Sequence, residues 1–127
     1  MQAEHFGGRD ILSNRDDVSR ILSLRFAGHF NEIWLSRDAA YPCMSILIRD
    51  RVACVHYFPS AGHPGFAAQR GAEAATSAGS LEFRTNTPHE PIEVDGGLVV
   101  SMERATEAAL LFMQDGRLPS NLSWLEL

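Results

Sequence analysis

The sequence predicts an α+β fold: a mostly antiparallel sheet with two main helices packed on one face. Three observations carry this expectation. Two segments, one near each end, have apolar residues at helical spacing, 13–28 and 101–116. Three segments between them alternate apolar and polar residues, and two of these are joined too tightly for a parallel crossover. The resulting order of helix, strands, helix and strand segregates the helices to one side of a sheet.

The elements follow in chain order. His5–Gly8, "HFGG", forms a short leading strand or an arm. "SNRDDVSRILSLRFAG" is the first helix, capped by Ser13 or Asn14. Asp16 and Asp17 lie in its first turn, where the dipole favours anions. Val18, Ile21 and Leu22 form its apolar stripe, and Gly28 is its expected stop. Asn31–Arg37 is a strand in which Ile33 and Leu35 alternate with a polar face of Glu32, Trp34 and Ser36. Two strands follow, Cys43–Ile48 and Arg51–Phe58, with the turn near Asp50. Pro59 cannot donate to a ladder, so pairing fades there.

Phe66–Gln69 can form a short strand, after which the Gly-, Ala- and Ser-rich stretch to Ser80 reads as a surface connection. Alternation restarts at Leu81 and Phe83. Pro88 and Pro91 restrict the next segment to a short edge strand, Ile92–Val94. "SMERATEAALLFMQDG" is the clearest helix, with Ser101 as cap and Glu103 in the first turn. Its buried stripe is Ala105, Ala108, Ala109 and Phe112, and Gly116 is its stop. "LPSNLSWLEL" closes the chain as a strand with Leu122 and Trp124 on one side.

Length and composition bound the function. The 127 residues fit one domain, 1–127, large enough to fold without a metal or disulfide. No apolar run approaches the roughly 20 residues of a membrane span, and the N-terminus lacks the pattern of a secretory signal. A cytoplasmic location is therefore expected. The net charge is −5, from 16 acidic residues and 11 basic ones, all arginine. An acidic chain without a basic run is unsuited to direct nucleic-acid binding. It is suited to meeting a basic protein partner.

Cys43 and Cys54 fall on the two strands of the hairpin. A turn centred on Asp50 sets Cys43 opposite Tyr57 and Cys54 opposite Ile46, with the thiols on opposite sides of the sheet. A register shifted by one residue brings them to one side, still several residues apart. Neither arrangement meets the Cα separation of roughly 7 Å that a disulfide requires, so both thiols are expected free and buried.

Reactive chemistry has few candidates. Cys54 and His56 share a strand face and, with His63 and either His29 or His89, could supply metal ligands. The paired spacings of zinc sites are absent. The competing reading is a strand histidine packed beside Met44, with His63 in a turn. A mid-strand Cys54 lacks the helix N-terminus or cation that would make it nucleophilic. Glu90, Glu93 and Asp95 cluster late in the chain, with Glu73 and Glu82 earlier, but nothing marks the cleft that an acid–base pair needs. "SAGHPGF" is glycine-rich without a following helix, so its glycines serve a tight turn.

Several stretches together carry a resemblance. They are "YPCMSILIRDRVACVHYFPSAGHPGF" and "VVSMERATEAALLFMQDGRLPSNLSWLEL". A strand ending in "VHYFP", a "GHPGF" loop, a helix with A-x-x-A and the closing "SWLEL" resemble immunity protein family one of bacterial polymorphic toxin systems. Some relatives in that family neutralise nucleic-acid deaminase toxins. The resemblance covers Ile33 to Leu127, interrupted between Gln69 and Leu81. It implies a protein without catalysis or cofactor that docks on a cognate toxin domain and occludes its active site. It also implies that Tyr57, Phe58, Gly62, Gly65 and Phe66 shape a strand end and its loop, and that Trp124 anchors the last strand. Divergence across Gly71–Gly79 fits a loop that reads the partner. The residues expected to contact the toxin are His63, Phe66, Glu90, Glu93 and Asp95. A small thiol or metal-dependent enzyme using Cys54, His56 and His63 is the alternative.

Overall fold

A computed structural model of the chain describes residues 1–71, 79–85 and 90–127. Its frame is an eight-stranded antiparallel sheet. The first two strands, β1 (Gln2–His5) and β2 (Gly8–Ile11), form a hairpin, and the His5–Gly8 stretch expected as a short leading strand or an arm makes its turn. The turn is closed by side-chain chemistry: His5 Nδ1 accepts the Gly7 N–H (3.0 Å), and His5 Nε2 meets Asp10 Oδ2 (2.7 Å).

The first helix, α1 (Arg15–Leu22), is capped by Asn14, whose Oδ1 accepts the Asp17 N–H. The Asp17 carboxylate in turn accepts the Ser13 N–H. Val18, Ile21 and Leu22 are buried, as their spacing requires. The helix stops at Ser23, well before Gly28. Phe26 exchanges backbone hydrogen bonds with Phe30, and Ala27 and Gly28 take left-handed conformations (φ 52° and 81°). The chain has already turned into β3 (Phe30–Ser36) by the point at which a longer helix would end.

The central strands are β4 (Cys43–Arg49) and β5 (Val52–Phe58). Arg49 lies opposite Val52, leaving Asp50 and Arg51 as a two-residue turn. Such a turn needs a positive φ, and Asp50 supplies it at 52°. The pairing is therefore one residue from the expected register: Cys43 faces Phe58 and Cys54 faces Leu47. Both thiols lie on the same face. Cys54 is four residues before Phe58, about 13 Å along the strand at ~3.3 Å per residue, and both cysteines are free.

Beyond β5 lie β6 (Phe66–Gln69) and β10 (Ser123–Glu126), giving the order β10-β6-β5-β4-β3-β1-β2. The short β9 (Val100–Ser101) pairs with the start of β5. It leads directly into α2 (Met102–Asp115), whose N-cap Ser101 accepts the Arg104 N–H. Gly116 ends α2 in the left-handed conformation (φ 71°).

One sheet face carries both helices. Ile33, Leu35, Met44, Ile46, Ile48 and Val55 form one core with Val18 and Ile21 of α1 and the small stripe Ala105, Ala108 and Ala109 of α2. Phe112 meets Tyr57 edge-on at 6.1 Å. Tyr57 Oη donates to the Gly116 carbonyl at 2.9 Å, tying the end of α2 to the sheet.

The opposite face is half covered by a separate two-stranded sheet, β7 (Ser80–Arg84) with β8 (Pro91–Asp95). The expected edge strand is thus an edge of this hairpin and not of the main sheet. Phe83 and Val94 pack on Leu47, Cys54 and Val99 as a second small core. A short 3₁₀ turn, Gly96–Leu98, leads back to the sheet, where the Arg70 N–H reaches the Gly97 carbonyl. Residues 72–78 of the Gly71–Gly79 stretch, with Glu73, and also His89 lie outside the described residues.

Two substitutions test this packing. Phe112→Ala empties the contact between α2 and β5 and is expected to cost about 3–5 kcal/mol in denaturant unfolding. Tyr57→Phe leaves the Gly116 carbonyl without its buried donor and is expected to cost about 1–3 kcal/mol. A Tyr57→Phe protein as stable as wild type would refute the role of this hydrogen bond.

Candidate protein-docking surface

The half of the outer sheet face left open by the β7–β8 hairpin carries aromatic side chains. Its geometry follows from the register. Leu125, Ala67, His56, Ser45, Trp34 and Glu4 form one row across β10, β6, β5, β4, β3 and β1. Beside it, Ser36, Cys43 and Phe58 begin the next row. The outward side chains of β4 here are small, Cys43 and Ser45. Aromatic rings from β3 and β5 therefore meet above β4: Trp34 stacks on Phe58 at 5.7 Å, and Phe58 stacks on His56 at 6.1 Å. Trp34 keeps 38% of its surface exposed and Leu125 43%, while Ser45 and Ala67 are buried. A shallow depression of about 190 Å³ lies beside Trp34, bounded by Glu4, Ser36, Ala40 and Cys43.

Glycine chemistry supports this row. Gly65 has φ 96°, and a Cβ there would fall 2.8 Å from the Phe58 ring and 3.1 Å from the Tyr57 carbonyl. The "GHPGF" loop can thus lie against Phe58 only because residue 65 has no side chain.

The expected contact residues fall into two groups. Glu90, Glu93 and Asp95 belong to the β7–β8 hairpin, on the same side of the sheet as Trp34. Glu93 accepts the Ser80 hydroxyl (2.7 Å), and Asp95 accepts the Gly97 N–H (2.8 Å) as the cap of the 3₁₀ turn. Glu93 lies directly opposite Glu82, and Arg84 pairs with Glu82 at 3.0 Å. The second group, His63 and Phe66, stands at the β6–β10 edge. Their rings stack at 5.2 Å. Phe66 lies opposite Tyr57, so it leans on the helix-side core and is half-buried there. His63 Nδ1 accepts the Gly65 N–H (2.8 Å), and Nε2 faces Glu126 (3.1 Å).

The thiol and metal candidates do not converge. Cys54 Sγ is 3.8 Å from His56 Nδ1 on the outer face, whereas His63 is engaged at the far edge and His29 binds Asp50 (2.7 Å). No group of three metal-ligating side chains gathers among the described residues. Burial pushes the Cys54 thiol up to about 12, the reverse of what a nucleophile needs. Burial also lowers the His56 pKa, favouring the neutral ring. His56 faces Ser45, not Met44, which turns toward the helices.

Sequence reasoning missed the Trp34–Phe58–His56 stack. Its signal was present: Trp34 interrupts the polar face of its strand, between Glu32 and Ser36. A larger groove of about 750 Å³ runs along α2 on the helix side, with Leu110 and Met113 beside Arg15, Glu103 and Glu107. No helix among the described residues is long and apolar enough to cross a membrane.

No family model matches the chain. The chain is similar along its whole length to the double-stranded DNA deaminase immunity protein of Burkholderia cenocepacia (strain H111). The two are 27% identical over 134 aligned positions, which cover 100% of each chain. The resemblance to immunity proteins of toxin systems is borne out. It also extends beyond the motif-bearing region to the N-terminal hairpin and α1.

Two measurements follow from the site's chemistry. In native protein, a thiol reagent is expected to label half-buried Cys43 and to spare Cys54 until the chain unfolds. His56 binds its proton less readily folded than unfolded. As the pH falls below the usual histidine value of about 6.5, the unfolded chain takes up this proton first and stability drops. His56→Phe is expected to lose less stability than wild type between about pH 7 and about pH 5. Parallel curves would contradict this reading.

Proposed function

We propose that the chain is an immunity protein that binds a cognate toxin domain and occludes its active site, the toxin being a nucleic-acid deaminase. The observation that carries this reading is the full-length similarity to an immunity protein named for a DNA deaminase. The physical chemistry agrees with it. An enzyme that acts on nucleic acid must hold a polyanion and so presents arginine and lysine around its cleft. A partner with a net charge of −5 is drawn to that cleft and can cover it without chemistry of its own.

In this reading the chain acts as one domain, in the cytoplasm, and is not an enzyme. Glu90, Glu93 and Asp95 steer the encounter from the hairpin. His63 and Phe66 contribute a second contact at the sheet edge. The thiol-enzyme alternative is disfavoured, because Cys54 stays protonated at neutral pH.

Co-expression with the neighbouring toxin domain is the direct test. Growth rescue and co-purification are expected. Cells that die equally fast with and without the chain would overturn the proposal. The charge-reversal pair Glu93→Arg and Asp95→Arg is expected to slow association about tenfold at low salt and to flatten its salt dependence. Unchanged on-rates would remove these residues from the encounter.

A further inference from the structure

We infer that the open aromatic half of the outer sheet face is where the toxin domain is anchored, with Trp34 as its anchor and the β7–β8 hairpin as an acidic rim. This rests on the immunity reading and adds the face used.

Four observations lead to it. Trp34 is an exposed indole already held in place by stacking on Phe58, so little side-chain freedom is lost on contact. Tryptophan is the residue type most enriched among those that dominate binding energy. The depression beside Trp34 offers a socket for one protruding side chain of the partner.

The third observation is one of size. The row from Leu125 to Glu4 crosses five strand spacings, about 24 Å at ~4.8 Å each. Two side-chain rows deep, it offers roughly 320 Å² of plan area at these spacings. A stable interface takes about 800 Å² from each partner. The aromatic strip alone falls short of this, so the partner must extend beyond it, and the hairpin is an adjoining surface on the same side of the sheet.

The fourth is charge. That hairpin sets Glu82 directly opposite Glu93, and Arg84 offsets only the Glu82 charge, leaving Glu90, Glu93 and Asp95 without a salt bridge among the described residues. Arginines on this side are already engaged: Arg9 with Glu4, Arg84 with Glu82, and both Arg49 and Arg84 over the Phe30 ring. What the rim offers a partner is carboxylate. An apolar centre beside a carboxylate rim matches the mouth of a cleft built to hold nucleic acid, where bases stack between apolar walls and arginine or lysine holds phosphate.

The test uses the full chain and a catalytically dead toxin domain. Wild type, Trp34→Ala and the helix-side control Glu107→Arg are compared by titration, with thermal melts to verify folding. Trp34→Ala is expected to bind at least about 30-fold more weakly, and Glu107→Arg is expected to bind like wild type. A second readout needs no variant: bound toxin should protect Cys43, at the lip of the depression, from a thiol reagent. Tight binding by folded Trp34→Ala with Cys43 labelled at its free rate would overturn the assignment and leave the immunity reading standing. Loss of binding in Glu107→Arg alone, or toxin-independent self-association abolished by Trp34→Ala, would also overturn it. Failure of wild type to bind or to rescue growth would remove the immunity reading and this face with it.

Discussion

Closure of the β4–β5 hairpin over Asp50 and Arg51 governs both faces of the molecule. Side chains alternate along a strand, so slipping this pairing by one residue would exchange the helix side for the outer side. Met44, Ile46 and Ile48 would leave the core. Each such side chain is worth about 1.5–3 kcal/mol buried, so their loss approaches the 5–15 kcal/mol that holds a typical domain together. The turn is held accordingly. Asp50 adopts the left-handed conformation, its carbonyl takes two guanidinium hydrogen bonds from Arg25, and its carboxylate pairs with His29. The hydrogen bond from His29 keeps that carboxyl below its ordinary pKa.

Residues that look reactive in the sequence are spent on turns and packing. His5-Phe6-Gly7 and His63-Pro64-Gly65 use one device: Nδ1 accepts the N–H two residues on, while Nε2 reaches a carboxylate. The first closes β1–β2, and the second shapes the loop into β6. Cys54 sits under the β7–β8 hairpin as a small apolar side chain.

The two sides of the sheet are built for different tasks. Alanines on α2 let the helix approach the large aliphatic residues of the sheet, giving a rigid backing. On the other side, small residues on β4 and β6 let larger ones from three strands share a surface. A protein that works by complementarity benefits from such a platform, because a surface already ordered loses little entropy when covered.

Much of the fold was legible locally. Both helices, the cap Ser101, the stop at Gly116 and the central strands depend on contacts within a few residues, which periodicity and capping rules report directly, whereas the choice of Asn14 over Ser13 as the first cap came from the structure. The acidic character and the immunity resemblance were likewise present in the chain itself. What the tertiary structure alone decided was register and layering. Whether Asp50 centres a turn or begins one depends on its contacts with Arg25 and His29, distant in sequence. That choice placed both thiols on one face. The position of β7–β8 across the sheet, and the meeting of Trp34 with Phe58 above Ser45, arise from strands far apart in the chain. No local pattern encodes them, because they exist only once the register has determined which side chains point the same way.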